Sequence, residues 1–308
     1  MAKIKSNSKM KKKFSVFNTA VMLLLIAYAF ILFFALYWMF STSLKTESEL
    51  ETNFFGLPAQ WLFSNIADAF NSFNCSIPMA DEKVGLLPSV LYDVGLYPGI
   101  ILNTLLYTVG GAICATLVPC LVSYVVAKFD YKFSKLLYAV VIVTMILPIV
   151  GNFPSMVNVM YSLGIYDTIL GGWIQKCNFL GMYFLIFYAA FKSLPNDYME
   201  AAYIDGASEW KVLFRIMFPL VRPIFLTIAI IHFIDIWNDY QTVLLYLPSY
   251  PTISLAVYKQ IIIGGNPVMR KPQFRMAACM IMVIPTVTLF IIFRDKLMGN
   301  LSMGGIKG

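Results

Sequence analysis

Between Lys13 and Lys45 the sequence holds no charged residue, a gap longer than the ~20 residues that cross a ~30 Å hydrocarbon core at ~1.5 Å rise per residue. That stretch predicts a first transmembrane helix at 17–40 behind a basic tail at 1–16. The basic leader and apolar run look like a signal peptide, but "ALYWMFSTS" is too bulky for a small-residue cleavage site, so the helix is expected to stay. Composition agrees. With 59% hydrophobic, 16% aromatic and only 13% charged residues, the 308-residue chain cannot hide its apolar side chains in one soluble core and needs lipid around it.

The remaining spans follow from the same search. A second uncharged run lies between Asp93 and Lys128, with a helix expected from Pro98 to Ala127 in which Pro119 bends the helix or frees a carbonyl. A third begins after Lys135 and stops near Asn152, because Pro148, Gly151 and Pro154 in "LPIVGNFP" cannot continue a regular helix together. Between Lys176 and Lys192 only "CNFLGMYFLIFYAAF" is uncharged, so a fourth span there requires Lys192 to snorkel to the interface. A fifth starts at Pro219 to Pro223 and contains His232, Asp235 and Asp239. The sixth is Met276 to Phe293. The expected fold is an all-α integral membrane protein of six transmembrane helices.

Lysines and arginines orient it. The first thirteen residues carry six lysines and no acid, and "KFDYKFSK" carries three lysines against one aspartate; both belong on the cytoplasmic side. The segment from Lys45 to Pro98 carries two lysines against seven acids, so 41–97 is expected outside. Six crossings put both termini, including the tail 295–308, in the cytoplasm. Lys259, Arg270, Lys271 and Arg275 break the pattern, since helix parity places them outside. Five cysteines show no metal-ligand spacing; Cys75 and Cys177 fall in polar-flanked segments where a disulfide and free thiols are both open.

On the cytoplasmic side, between spans four and five, lies "PNDYMEAAYIDGASEWKVLFRIMFP". Asp197 stands three residues before Glu200 in a capping-box arrangement, and Gly206 sits where a short helix needs a left-handed stop. A second helix follows, with Trp210, Leu213, Phe214 and Met217 on one face and Lys211 and Arg215 as i, i+4 partners on another. Ala201, Ala202, Gly206 and Ala207 offer so little bulk that a partner's surface could approach the backbone. A solvated helical hairpin joining two spans satisfies the same spacing.

The stretch Glu200 to Pro219 resembles the EAA loop of ABC-importer permeases: Glu200-Ala201-Ala202, then Asp205-Gly206-Ala207, then Ile216-Met217-Phe218-Pro219, with Phe218 where the family usually has Leu. "NTLLYT", "SYVVAKFDY", "YSLGIYDTILG", "WNDYQTVLLYL" and "GGIKG" are similar to the maltose-type sugar permease branch, so the likeness covers the chain from about Pro98 onward. It implies a permease core at 98–294 whose cytoplasmic coupling loop, 196–219, docks two copies of an ATPase through Glu200, Ala201, Ala202, Asp205, Gly206, Ala207 and Pro219. It also implies a second permease subunit, an extracellular solute-binding protein, and residence in a bacterial cytoplasmic membrane as a multi-pass subunit. The chain has no Gly-x-x-x-x-Gly-Lys-Ser/Thr phosphate loop, so ATP and magnesium are expected on the partner ATPases. No cofactor, metal or nucleic acid is expected on this chain.

The implied cargo is a sugar or oligosaccharide, with a glycerol-phosphate or another polar solute as the alternative. Asn103, Asn152, Trp237, Asn238 and Asp239 combine aromatic faces and amide or carboxylate groups suited to sugar hydroxyls, and are the candidates for the translocation path; helix packing and interface anchoring are the competing roles. Lys259, Arg270 and Lys271 are candidates for contact with an acidic rim of the binding protein, with the acidic 41–97 segment or with lipid headgroups. A different class remains open. His232, Asp235 and Asp239 share one helical face, where a secondary transporter or an intramembrane enzyme would use His232 as a base oriented by Asp235.

Overall fold

The computed structural model describes residues 16–73, 97–147, 151–263 and 267–301, and all regular structure among them is helical. Cys75 and the "NCSIPMADEKVGLLPSVLYDVG" stretch lie outside the described residues. Helix α1 (Val16–Ser43) is apolar all round, and Leu24, Phe30 and Phe33 stand exposed along it. A helix of this kind is stable only where lipid or another apolar surface covers it. Its far end is different. Ser41 to Lys45 are buried, and Lys45, which marks the charged border of the first span in the sequence, is tucked inward with Nζ donating to the Asn53 carbonyl at 2.6 Å. Asn65 donates to the carbonyls of Ser43 and Lys45 at 3.0 Å. These bonds fold the short helices α2 (Glu47–Thr52) and α3 (Ser64–Asn71) back over the end of α1.

Helix α4 (Tyr97–Lys128) is the axis of the bundle. It is followed by α5 (Lys132–Ile146) and α6 (Phe153–Ser162), with residues 148–150 outside the described set. Next come α7 (Ile169–Lys176) and α8 (Met182–Ser193). The fourth expected span thus appears as two pieces. Alone, the 12 residues of α8 rise ~18 Å, short of a ~30 Å core; the 8 residues of α7 add ~12 Å. Both run alongside α4 in the same direction. Trp173 donates to the Leu106 carbonyl at 2.9 Å, and further along α4 Phe191 meets Tyr124 at 5.3 Å between ring centroids. The chain breaks between them at 177–181, ending in Gly181 with φ +139°.

Close approach of α7 to α4 depends on Gly110. A Cβ there would sit 2.1 Å from the Trp173 indole, a ring pinned by its hydrogen bond. Gly110→Ala should therefore lower the thermal stability of the detergent-solubilised protein by about 1–3 kcal/mol through overpacking, read as a drop in melting temperature. Wild-type stability in that variant would mean the indole moves freely.

After α9 (Asp197–Ile204) comes α10, one continuous helix from Glu209 to Trp237. This corrects the expectation of a separate amphipathic helix followed by a span starting at Pro219. Leu213–Met217 winds as a π turn, closed by Phe218 N–H donating to the Leu213 carbonyl; Pro219 has no N–H to offer the Arg215 carbonyl, so the wider turn fits there. The extra residue breaks the 3.6 period. Leu213 and Met217 are buried, whereas Trp210 and Phe214 face outward and stack on each other at 6.0 Å.

Beyond α10, α11 (Tyr240–Tyr246) and α12 (Ile253–Tyr258) precede α13 (Pro272–Leu301). "TISLAVYKQIII" is helical as expected, ending in a second π turn at Lys259–Ile263. Among the described residues four helices, α1, α4, α10 and α13, are long and apolar enough to cross a membrane; α5 and α8 are shorter than 18 residues.

Candidate functional site

The loop between α8 and α10 is built on the bundle's main core. Met199 and Ala202, on one face of α9, are buried with Phe191, Val212, Leu213, Met217 and Tyr124. Lys128, at the end of α4, donates to the Leu194 carbonyl at 2.6 Å and to Asn196 Oδ1 at 2.9 Å. A helix of two turns would fray alone; these contacts fix it.

The capping-box reading is corrected here. Asp197 is the first residue of α9, and Asn196, before it, makes no side-chain cap bond. The C-terminal end follows the expectation for Gly206. Its φ is +76°, Ala207 N–H donates to the Ala202 carbonyl at 2.9 Å and Gly206 N–H to the Tyr203 carbonyl at 3.0 Å. That bond pair is a Schellman motif. Ser208 then caps α10 by accepting from Lys211 N–H. Ala202 faces this chain's own core, so its small size serves packing within the chain. Glu200, Ala201, Asp205, Gly206 and Pro219 are exposed and Ala207 is half-buried.

Two apolar side chains stand out beside them: Ile204, absent from the sequence argument, is 86% exposed, and Trp210, expected on the packed face, is 70% exposed. Large apolar groups held this far out on a rigid turn are what a protein interface uses as anchors. Partial burial, the Glu209 carboxylate and Tyr131 raise the Tyr203 phenol above its usual pKa, which keeps it a neutral hydroxyl. An open cavity of about 850 Å³ adjoins α9, lined by Lys128, Asp130, Lys135, Lys192, Asp197 and Glu200 among others.

A second polar centre lies inside the bundle, at the break between α7 and α8. Lys176 Nζ pairs with Asp239 Oδ2 at 2.7 Å, both side chains mostly buried. Tyr107 donates to the same carboxylate oxygen at 3.0 Å, and Asp239 Oδ1 caps α11 by accepting from Thr242 N–H at 2.9 Å. His232 Nδ1 contacts Thr116 Oγ1 at 3.0 Å, and that hydroxyl donates to the Ala112 carbonyl at 2.7 Å. The imidazole therefore uses Nδ1–H toward Thr116. His232 is oriented by Thr116 rather than by Asp235, and no group of three His, Cys, Asp or Glu side chains among the described residues is arranged to hold a metal ion.

The path candidates separate in space. Asn103 is buried and donates to the Pro251 carbonyl at 3.3 Å, tying α4 to the approach to α12. Trp237 is buried and donates to the Met282 carbonyl of α13 at 3.1 Å. Asn238 is exposed and bonds back to the Ile234 carbonyl; Asn152 is exposed just ahead of α6. Asp239 alone of the five reaches the polar centre. Of the cations, Lys271 pairs with Glu47 of α2, a residue of the acidic segment. Arg270 is exposed and Lys259 half-buried. The place of Lys176, Tyr107 and Thr116 in this centre was not legible in the sequence because each bonds a partner more than sixty residues away.

Comparison with known proteins gives the architecture a family. The chain is 26% identical over 294 residues to the diacetylchitobiose uptake system permease protein NgcG of Streptomyces coelicolor, covering 92% of this chain and 87% of that protein. It is 27% identical over 278 residues to the melibiose/raffinose/stachyose import permease protein MelC of Bacillus subtilis, covering 90% and 92%. Among solved structures, a chain of a bacterial ABC transporter involved in import of the acidic polysaccharide alginate superposes with a TM-score of 0.70 at 21% identity, over 95% of this chain and 99% of that one. Residues 119–299 match the family described as binding-protein-dependent transport system inner membrane component, more than half of the chain, and the protein belongs to that family.

Proposed function

We propose that this chain is the permease subunit of an ATP-driven importer and forms half of the transmembrane pathway for a sugar or oligosaccharide handed over by a solute-binding protein. The observation that carries the reading is the loop Asn196–Pro219: a short helix fixed to the core on one face, closed by a left-handed glycine, with Glu200, Ala201, Ile204, Asp205 and Trp210 presented outward. Such a knob transmits motion because it moves as one body with α8 and α10. Two cytoplasmic ATPases carrying ATP and magnesium would push on it, and a second permease subunit would complete the pathway. Alternating access then follows from rigid-body rocking of the two bundles. The saccharide assignment rests on the relatives, named for uptake of diacetylchitobiose and of melibiose, raffinose and stachyose.

Six crossings follow if α1, α4, α5, α7 with α8, α10 and α13 each traverse the bilayer of a bacterial cytoplasmic membrane. Both termini and the coupling loop then lie inside, as the lysine distribution requires. Arg270 and Lys259 would stand at the outer mouth, where the solute-binding protein docks. Single cysteines at Glu209 and Glu51, in a cysteine-free functional version, test the arrangement. An impermeant thiol reagent applied to intact cells should label the Glu51 position and spare the Glu209 position until the membrane is permeabilised. Labelling of both from outside would overturn the topology and ATPase docking with it.

A further inference from the structure

Between Glu51 and Asp68 no residue is charged, although α2 and α3 on either side expose Glu47, Glu51 and Asp68. The chain that joins the two helices, 53–63, is aromatic instead. Phe54, Phe55, Leu57, Trp61 and Phe63 stand exposed there, Phe55 by 59% and Phe63 by 60%. They form one patch with the end of α1. Between ring centroids, Phe55 lies 5.9 Å from Phe34, Phe54 5.3 Å from Trp38, and Trp61 6.1 Å from Phe40. After α1 ends at Ser43, the chain therefore turns back along it and reaches the level of Phe34, ~13 Å short of its end.

Counted from Val16, where α1 begins, the ~20 residues that cross a ~30 Å hydrocarbon core end near Leu36, between Phe34 and Trp38. The patch thus borders the hydrocarbon, at the depth where aromatic rings concentrate in membrane proteins. Backbone at that depth has to be satisfied from within the protein, and the carbonyls of this loop are. Five in succession receive donors: Lys45 Nζ donates to Asn53 at 2.6 Å and to Phe54 at 3.4 Å, Tyr37 Oη to Phe55 at 3.2 Å, Ser41 Oγ to Gly56 at 2.7 Å, and Asn53 Nδ2 to Leu57 at 2.9 Å. Gly56 N–H donates to Asn53 Oδ1 at 2.9 Å and Ala59 N–H to Glu49 Oε1 at 2.6 Å. A loop standing in water has no need of such closure, since water satisfies exposed carbonyls. With the carbonyls from 53 to 57 engaged and no charge present, the surface offers lipid what it requires and offers a hydrogen-bonded protein interface little.

We propose that 53–63 is an interfacial anchor whose partner is the lipid surface at the C-terminal end of α1. Its rings sit at the boundary between headgroups and acyl chains and hold α1 at a fixed height in the bilayer. Through the Lys45 and Asn65 bonds the α2–α3 cap is held at the same height. The inference rests on α1 crossing the membrane; naming the lipid surface as the outer leaflet rests on the topology proposed above.

The test uses the permease pair with its ATPases in lipid nanodiscs, in a cysteine-free functional version. A nitroxide is attached at Leu57→Cys or at Phe63→Cys. Electron paramagnetic resonance then reads its collision rates with oxygen, which partitions into lipid, and with nickel ethylenediamine diacetate, which stays in water. A phospholipid carrying a nitroxide near the head of its acyl chain calibrates the lipid boundary, and a label at Glu51→Cys calibrates water. The oxygen-to-nickel ratio at both loop positions should exceed that at Glu51 severalfold and approach that of the labelled lipid. The contrast is blind to which face of the membrane carries the loop, so failure of the topology, read by thiol labelling at Glu51 in intact cells, stays separate from failure of the anchor. If one labelled variant fails to assemble on size-exclusion chromatography, the other decides. A ratio equal to that at Glu51 places the loop in water and overturns the anchor. Low collision rates with both reagents, with or without loaded binding protein, assign the patch to a protein partner or to residues 74–96 and overturn it too.

Discussion

Replacing Gly206 by Val should lower binding-protein-stimulated ATP hydrolysis and transport together while leaving the bundle inserted and assembled. Gly206 holds φ at +76°, a conformation that costs a non-glycine residue about 1–3 kcal/mol and a β-branched one most. Apart from its two chain neighbours, no atom of the described residues lies within 4 Å of an added Cβ, so the loss arises from backbone strain and from whatever partner occupies that space. Strain of this size unwinds the Schellman turn, and Ile204 and Asp205 lose their fixed positions. Binding-protein-stimulated ATP hydrolysis should fall roughly tenfold or more, the equivalent of ~1.4 kcal/mol. Gly206→Asn separates the two causes, because Asn tolerates positive φ yet fills the same space. Recovery in the Asn variant assigns the defect to strain; an equal defect assigns it to a crowded interface. Normal hydrolysis and uptake in the Val variant would reduce the loop to a connector.

Asp239→Leu should be the most damaging single change to stability. It leaves the Lys176 ammonium without its carboxylate in a mostly buried setting, takes the carboxylate acceptor from the Tyr107 hydroxyl and removes the cap of α11. Removing one partner of a buried pair costs about 3–5 kcal/mol, and loss of a cap ~1 kcal/mol; residual solvent access to both side chains lowers the first figure, so about 3 kcal/mol in total is expected. The double variant Lys176→Met with Asp239→Leu should regain a large part of that loss, since two apolar groups avoid the uncompensated charge. Thermal unfolding of the purified permease pair measures the cycle. A double variant no more stable than Asp239→Leu alone would show that the two charges are not coupled.

The long uncharged runs made α1, α4 and α13 legible in the sequence, because lipid tolerates charge only at helix ends. In the 196–219 loop the left-handed stop at Gly206 was equally legible, since it follows from local spacing, whereas the capping box expected at Asp197 did not form. Two kinds of feature escaped. Lys176 reads as the border of a span, yet it sits inside the bundle, because its partner Asp239 lies sixty-three residues away and no periodicity announces such a pair. The π turn at Leu213–Met217 was hidden too. The residue pattern reads as amphipathic through this turn, yet Trp210 and Phe214 stand exposed while Leu213 and Met217 are buried. Lys45, similarly, has a border residue's charge and a core residue's burial, satisfied by backbone carbonyls that only the folded chain brings together.

ATP hydrolysed on partner subunits should drive solute through a pathway half built by this chain. Reconstituting the permease pair in proteoliposomes, with and without the ATPase, and following uptake of radiolabelled sugar from its loaded binding protein tests it most directly. Accumulation is expected only when the ATPase and luminal ATP–magnesium are both present, and none under an imposed proton or sodium gradient alone. Gradient-driven accumulation without the ATPase would contradict it and return His232, Asp235 and Asp239 to the role of an ion-coupling relay.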